Sequence, residues 1–214
     1  MPPKVKPKLR GVFHQFGFIA ALGGALVLAV APVEGAQHTA GVVYALTLCL
    51  MLGLSTLYHR PTWSMRMRQR LRLVDHAGIF TLIAGTVTPL AVRAAHGQWT
   101  QSLTVMWAAS MAGMAFVVFY SSAHRFLRAA VYVGIGLLAL PVILSLRTVM
   151  APSLVALVLV GAAIYIVGAV VYARRWPNPQ PAVFGYHEVF HVLVLVAAAA
   201  HFAVVVTVQY RFET

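Results

Sequence analysis

The stretch FGYHEVFHVLVLVAAAAHFAVVVTV, residues 184–208, contains no Asp, Lys or Arg and a single Glu, Glu188. A membrane-spanning helix needs about 20 predominantly apolar residues, so this stretch is long enough to cross a bilayer. His187 and His191 lie near its beginning. The stretch therefore predicts a transmembrane helix that carries two histidines at one end.

Six further apolar stretches precede it, at residues 16–33, 40–58, 73–92, 102–120, 129–146 and 152–173. The whole chain is 61% hydrophobic and only 9% charged, a composition outside the range of soluble globular domains. The connections between the stretches are short and leave no room for a soluble domain. We therefore expect residues 1–214 to form one domain, an all-α integral membrane bundle of seven transmembrane helices.

The basic residues are distributed unevenly between the two ends of this predicted bundle. One side holds 13 of them, namely Lys4, Lys6, Lys8, Arg10, Arg60, Arg66, Arg68, Arg70, Arg72, Arg125, Arg128, Arg174 and Arg175. The other side holds three, namely Arg93, Arg147 and Arg211. Short loops rich in Lys and Arg stay in the cytoplasm, so the N-terminus is predicted to be cytoplasmic and the C-terminus external. Membrane topology accounts for the net charge of +12, and nucleic acid is not expected as a partner.

The histidines fall into two groups. His14, His38, His96 and His124 lie at segment ends or in loops, where we expect the imidazole to be solvated. The second group lies in or at the edges of the second, third and seventh segments, where an unpaired polar group is costly, and consists of His59, His76, His187, His191 and His201.

The spacing within this second group predicts a zinc site. His187 and His191 are four residues apart, which places both rings on one face of a helix, and Ser55 and His59 share that spacing. With the predicted topology, all four lie at the cytoplasmic level. Three neutral imidazoles and one water form the open tetrahedral zinc site of hydrolytic enzymes. The single cysteine, Cys49, excludes a cysteine-based site, and hydrogen bonding among the histidines is the alternative to a metal.

Asp75 and Ser55 are the candidate catalytic residues beside this site. Asp75, the only aspartate, is predicted in the first turn of the third segment, where it could hydrogen-bond the metal-bound water or take its proton. The alternative for Asp75 is an ion pair with Arg70 or Arg72. Ser55 could donate to the water or to a developing oxyanion, and the alternative is a bond to its own helix backbone.

Residues 187–191, HEVFH, also match the H-E-x-x-H pattern of metalloproteases, in which the glutamate activates water. A pattern that fixes only three of five positions also arises by chance, so it is weak support for a metalloprotease. Glu188 could instead stabilise the positive end of its helix.

The segments STLYH (55–59), DHAGI (75–79) and HEVFH (187–191), in this order, resemble the hemolysin III family. This is the bacterial branch of the progestin and adipoQ receptor proteins, which are related to the adiponectin receptors and more distantly to the alkaline ceramidases. The resemblance implies that His59, His187 and His191 are zinc ligands, with Ser55 and Asp75 around the metal-bound water. It gives His76 and His201 no metal role, and we expect both to be structural.

The leading functional hypothesis is a zinc-dependent hydrolase that acts on an amide or ester bond of a membrane lipid, as the ceramidase kinship implies. The second is a non-enzymatic protein of membrane homeostasis or a receptor-like protein, in which zinc braces the helices. A pore-forming cytolysin is disfavoured because histidines confined to one end make no polar channel. An intramembrane metalloprotease rests only on the short pattern. The expected location is the bacterial cytoplasmic membrane, and the sequence does not define an oligomeric state.

Overall fold

The computed structural model describes residues 6–94 and 99–210, which form eight α-helices and a short 3₁₀ helix. The helices are α1 (Val12–Ala29), α2 (Gly35–His59), α3 (Met65–Ala94), α4 (Trp99–Phe119), α5 (Arg125–Leu137), α6 (Leu140–Ser145), α7 (Pro152–Arg174) and α8 (Tyr186–Tyr210), with the 3₁₀ helix at Leu146–Thr148. Lys4 and Arg211, which belong to the predicted charge asymmetry, and His96, which belongs to the predicted solvated group, lie outside the described residues.

Seven helical segments are long and apolar enough to cross a membrane, with α5, α6 and the 3₁₀ helix counted together as one segment, Arg125–Thr148. Each of them overlaps one of the seven predicted stretches. The prediction of an all-helical, multi-pass membrane protein with seven candidate spans is therefore confirmed.

The fifth span is broken, contrary to the single helix predicted for residues 129–146. α5 ends at Leu137 and α6 begins at Leu140, with Pro141 in the first turn of α6. Proline has no backbone N–H and its ring clashes with the preceding turn, so Pro141 favours a break here, although α3 continues through Pro89. The chain tightens before it, where the N–H groups of Leu138 and Ala139 donate to carbonyls three residues back.

α3 begins at Met65, eight residues earlier than the predicted start at Leu73. The additional residues contain Arg66, Arg68 and Arg70, which are all exposed. Arginine favours a helix, but these charged residues are too polar to be counted in an apolar membrane span. Asp75 and His76 consequently lie about three turns into α3, not in its first turn as predicted.

α8 packs most extensively against α7 and also contacts α1, α2 and α3. One apolar cluster joins α1, α2, α3 and α8 and includes Leu28, Tyr44, Leu82 and Val205. A second cluster fills the space between α3, α4, α6, α7 and α8. α3 is the most buried span and α1 the least, so α1 presents most of its surface to the surroundings of the bundle.

We call the end where α2 and α7 stop and α3, α5 and α8 begin the basic end of the bundle. Hydrogen bonds join its segments, among them those from Lys6 Nζ to the Arg60 carbonyl at 2.9 Å and from Arg125 Nε to the Ala173 carbonyl at 2.5 Å. Glu188 caps α8 there, because its Oε2 atom accepts the Gly185 N–H at 2.8 Å, one half of a capping box.

Candidate metal centre

Three histidines that are far apart in sequence meet at the basic end. His59 is the last residue of α2, and His187 and His191 lie in the first two turns of α8. One ring nitrogen of each lies within 4.8 Å of the others. His59 and His191 are buried and His187 is half-buried, so bulk water does not solvate the cluster freely. The three histidines therefore lie together, as the sequence predicts.

The donor set and its spacing suit a metal ion. The Nε2 atoms of His59 and His187 are 3.1 Å apart. Two imidazoles bound to one tetrahedral zinc, each at roughly 2.0–2.1 Å, hold their nitrogens about 3.3 Å apart. The cluster could therefore hold a metal ion with little movement of the two rings, although a hydrogen bond between the rings fits the same separation.

Asp75 lies beside the cluster on a different helix. Its Oδ2 atom is 3.8 Å from His59 Nε2 and 3.8 Å from His76 Nδ1. Within the described ranges no arginine approaches this carboxylate to ion-pair distance, so the alternative pairing with Arg70 or Arg72 is not observed. The carboxylate lies next to His59 and His76, and the Ser55 side chain also interacts with it.

Ser55 is buried one turn before His59, and its hydroxyl does not bond its own helix. Its Oγ atom is 2.8 Å from Nδ1 of His14 on α1. The ring of His14 also stacks on that of His191, with centroids 3.7 Å apart and planes within 8° of parallel. His14 is therefore part of this site, and its sequence-based assignment to the solvated group is wrong.

The prediction missed His14 because the first apolar stretch was taken to begin at Phe16. Gly11 starts the helix in a left-handed conformation (φ 79°), so α1 begins at Val12. The sequence carried no usable signal, because α1 is apolar on every side. In the structure its buried residues are His14, Ala21 and Leu28, whose seven-residue repeat forms one inward face that begins with a histidine.

Glu188 does not face the cluster. It is fully buried, Oε1 accepts a hydrogen bond from Arg10 Nε at 2.5 Å, and Oε2 accepts the Gly185 N–H. Both carboxylate oxygens are thus occupied by structural partners. The arrangement supports the capping role of Glu188 and argues against the metalloprotease hypothesis, which requires this carboxylate beside a metal-bound water.

The remaining two histidines of the second group bond backbone carbonyls. His76 Nδ1 donates to the Arg72 carbonyl at 2.6 Å, and His201 Nε2 donates to the Val158 carbonyl at 3.0 Å. Gly161 makes room for the His201 ring, because a Cβ atom there would lie 2.5 Å from His201 Nε2. These contacts agree with the structural roles expected for both residues.

A cavity of about 350 Å³ extends from the histidines into the bundle. Ser55, Asp75, His187 and His191 line one end of it, and the rest of the lining is mostly apolar. Four of the apolar lining residues are themselves exposed, namely Leu137, Leu140, Leu159 and Ile166. Leu137 and Leu140 flank the break between α5 and α6.

These features define a multi-pass membrane protein with a buried histidine cluster at one end of an apolar cavity. A model of the Haemolysin-III related family matches residues 4–202, and the chain belongs to that family. This confirms the resemblance drawn from the three sequence motifs.

Among its relatives, the chain is 27% identical to hemolysin-3 of Bacillus cereus over 198 residues, which cover 89% of this chain and 86% of that protein. It is 27% identical to the hemolysin-3 homolog of Bacillus subtilis strain 168 over 162 residues, covering 75% and 72% of the two chains. It is 28% identical to the adiponectin receptor protein of Drosophila melanogaster over 211 residues, covering 88% of this chain but 47% of the receptor.

Proposed function

We propose that this protein is a zinc-dependent hydrolase that cleaves an amide or ester bond of a membrane lipid. The observation that carries the proposal is the position of the Asp75 carboxylate beside three clustered imidazoles, two of which line one end of an apolar cavity. Purely structural zinc sites usually take four protein ligands. Three histidine ligands would leave the fourth position of a zinc ion to a reacting group.

His59, His187 and His191 would hold the zinc ion. A zinc ion in such a set lowers the pKa of a bound water and polarises a carbonyl. Hydrolysis adds the hydroxyl of water to the acyl carbon, breaks the bond to nitrogen or oxygen, and gives a proton to the leaving amine or alcohol. Asp75, whose Oδ2 lies 3.8 Å from His59 Nε2, would accept that proton from water and return it to the leaving group. Ser55 would donate to the acyl oxygen.

The cavity would hold the acyl chain of the substrate. Its volume of about 350 Å³ lies within the range of roughly 300–1,000 Å³ typical of small-molecule sites, and its apolar lining suits a hydrocarbon chain. The exposed lining residues beside the break between α5 and α6 would give a lipid a route from the bilayer. An apolar lining favours a lipid site and not a water-filled pore, so it does not support the cytolysin hypothesis.

We further propose that the basic end faces the cytoplasm, as the 13-to-3 split of Lys and Arg supports. The site would then lie near the cytoplasmic face, in the cytoplasmic membrane of a bacterium. The bacterial relatives support this location.

A second candidate function is a non-enzymatic brace, in which the ion only ties α2 to α8. The observation in its favour is that the three histidines come from these two helices alone. The brace requires the ion but no turnover.

The experiment that separates the two incubates detergent-solubilised protein with ceramide-like lipids and phospholipids and follows fatty-acid release by mass spectrometry. A chelator-treated sample and the same sample with zinc restored serve as controls. We expect release by the native and zinc-restored protein only. Release that never exceeds the chelator-treated control, across both lipid classes, would leave the brace as the better account.

A further inference from the structure

The first helix contributes only one polar side chain to the interior of the bundle. The buried residues of α1 are His14, Ala21 and Leu28, while large apolar residues such as Phe16 and Leu26 are exposed. His14 is only 2% exposed. A helix that is otherwise in contact with its surroundings therefore brings an imidazole into the metal centre, and this residue has no part in the hydrolytic roles assigned above.

Packing and stability alone do not explain a histidine at this position. The Nε2 atom of His14 is buried and has no hydrogen-bond partner within the described part of the chain. A buried polar atom without a partner costs free energy that a phenyl ring of similar shape would avoid. The side-chain contacts of His14 with Ser55 and His191 point to a role in holding those two residues.

The first contact anchors the His14 ring. Its Nδ1 atom bonds Ser55 Oγ at 2.8 Å, and Ser55 lies one turn before the candidate ligand His59 on α2. The bond fixes the rotation of the imidazole about its side chain. The anchored ring is then held at a defined angle to the first turns of α8.

The second contact acts on a candidate ligand. The His14 ring covers one face of the His191 ring at a centroid distance of 3.7 Å, nearly parallel to it. An imidazole binds a metal ion through a lone pair in the plane of its ring, so a ligand that rotates out of this plane weakens the bond. A flat group packed on one face opposes that rotation, as groups around other metal ligands do.

We propose that His14 is a positioning residue of the metal centre, which holds the plane of the His191 ring and is itself anchored by Ser55. The inference rests on the proposed metal centre. His14 does not bind the ion, because it is not a member of the group of nitrogens that lie within reach of one another. It acts on the metal only through His191.

The test measures Co²⁺ binding to metal-stripped protein, by titration and by the visible absorption of the bound ion. We expect His14→Ala and His14→Gln, which remove the stacked ring, to weaken Co²⁺ binding by roughly 10–100-fold and to alter the absorption bands. His14→Phe keeps a flat ring of similar size but loses the bond to Ser55, so its affinity should lie between those of the wild type and His14→Ala. His38→Ala is the matched control, because His38 lies at the opposite end and, among the residues that the structure describes, its ring bonds the Ala29 carbonyl alone.

Each result separates the role of His14 from the existence of the centre. If the wild type binds Co²⁺ and all His14 variants match it, the positioning role is wrong while the metal centre stands. If His14→Phe loses as much affinity as His14→Ala, the stacked face is not what holds His191, and the proposal also fails. If the wild type binds no Co²⁺, the metal centre is wrong and the role of His14 falls with it. Size-exclusion profiles identify any variant that is misfolded. If His14→Ala is misfolded, the Co²⁺ affinities of His14→Gln and His14→Phe are compared instead to test the positioning role.

Discussion

Arg10 Nε lies 2.5 Å from Glu188 Oε1, so a residue of the N-terminal segment is paired with the first turn of the last helix. Glu188 is fully buried in this contact. The neighbouring N–H groups of Lys8 and Leu9 donate to the carbonyls of Ala182 and Val183, each at 3.1 Å. The N-terminal segment thus fastens the start of α8, which carries two of the three clustered histidines.

This contact predicts that Glu188 acts on stability. Glu188→Gln should retain the metal and lower the free energy of unfolding by roughly 1.5–3 kcal/mol, because the hydrogen bond from the Arg10 guanidinium loses its charged acceptor. Thermal unfolding in detergent measures the change. Glu34→Gln is the matched control, since Glu34 is exposed and its side chain caps nothing. An unaltered unfolding midpoint in Glu188→Gln would show that the pair contributes little.

The histidine cluster predicts the metal content of the protein. Purified protein should carry about one zinc per chain, and His59→Ala, His187→Ala and His191→Ala should each lower the occupancy sharply. Elemental analysis by mass spectrometry gives the ratio of metal to protein. His124→Ala is the control, because His124 is exposed in the loop before α5. Zinc that stays constant in all three variants would favour histidines that merely hydrogen-bond one another.

The sequence was sufficient for the spans and for the three clustered histidines. Hydropathy is a local property, so each apolar stretch predicts a span without knowledge of its neighbours. The sequence predicts that His59 and His187 lie at the same membrane face, because successive spans cross the bilayer in alternating directions. His187 and His191 are four residues apart, so a helix alone places both rings on one face.

The sequence was insufficient where partners from other helices decide the outcome. His14 precedes the first strongly apolar residues, and only its contacts with Ser55 and His191 reveal that it is buried. The pairing of Glu188 with Arg10 joins residues 178 positions apart, and neither residue alone indicates the other. The cavity likewise depends on how α3, α5, α7 and α8 pack, which no single segment encodes.

The charge asymmetry predicts which face of the membrane each end occupies. Reporters inserted between Arg60 and Arg72 should be cytoplasmic, and reporters fused after Arg211 should be external, because short basic loops are retained inside. Alkaline phosphatase and a fluorescent protein, which are active on opposite faces of a bacterial membrane, give complementary signals. A cytoplasmic C-terminus would overturn the orientation and move the metal centre to the other face.

The cavity predicts a dependence on acyl-chain length. Ala162 lines the cavity on α7, and Ala162→Phe should fill part of it, so hydrolysis of long-chain lipids falls several-fold while zinc content is unchanged. Val160→Phe is the matched control, because Val160 lies on the same helix, is 51% exposed and does not line the cavity. Rates for short-chain and long-chain lipids should diverge in the first variant alone. Equal losses at all chain lengths would assign the effect to packing.

The last prediction concerns the two carboxylates near the cluster, since bound zinc alone does not separate an enzyme from a brace. Asp75 Oδ2 lies 3.8 Å from His59 Nε2, whereas both oxygens of Glu188 are held by Arg10 and Gly185. A proton acceptor must reach the reacting water, and only Asp75 is placed to do so. Asp75→Asn should therefore keep zinc and fold but lose lipid hydrolysis, by at least the roughly 10²-fold typical of a missing general base.

Glu188→Gln serves as the opposing variant in the same assay, because it changes a carboxylate on the ligand-bearing helix without touching Asp75. It should retain most of the hydrolysis rate at a temperature where it is folded. If Glu188→Gln is instead the inactive variant and peptides are cleaved, the metalloprotease hypothesis is correct after all. If Asp75→Asn hydrolyses lipid as fast as the wild type, the carboxylate beside His59 is not the proton acceptor, and the catalytic role must lie with another group lining the cavity.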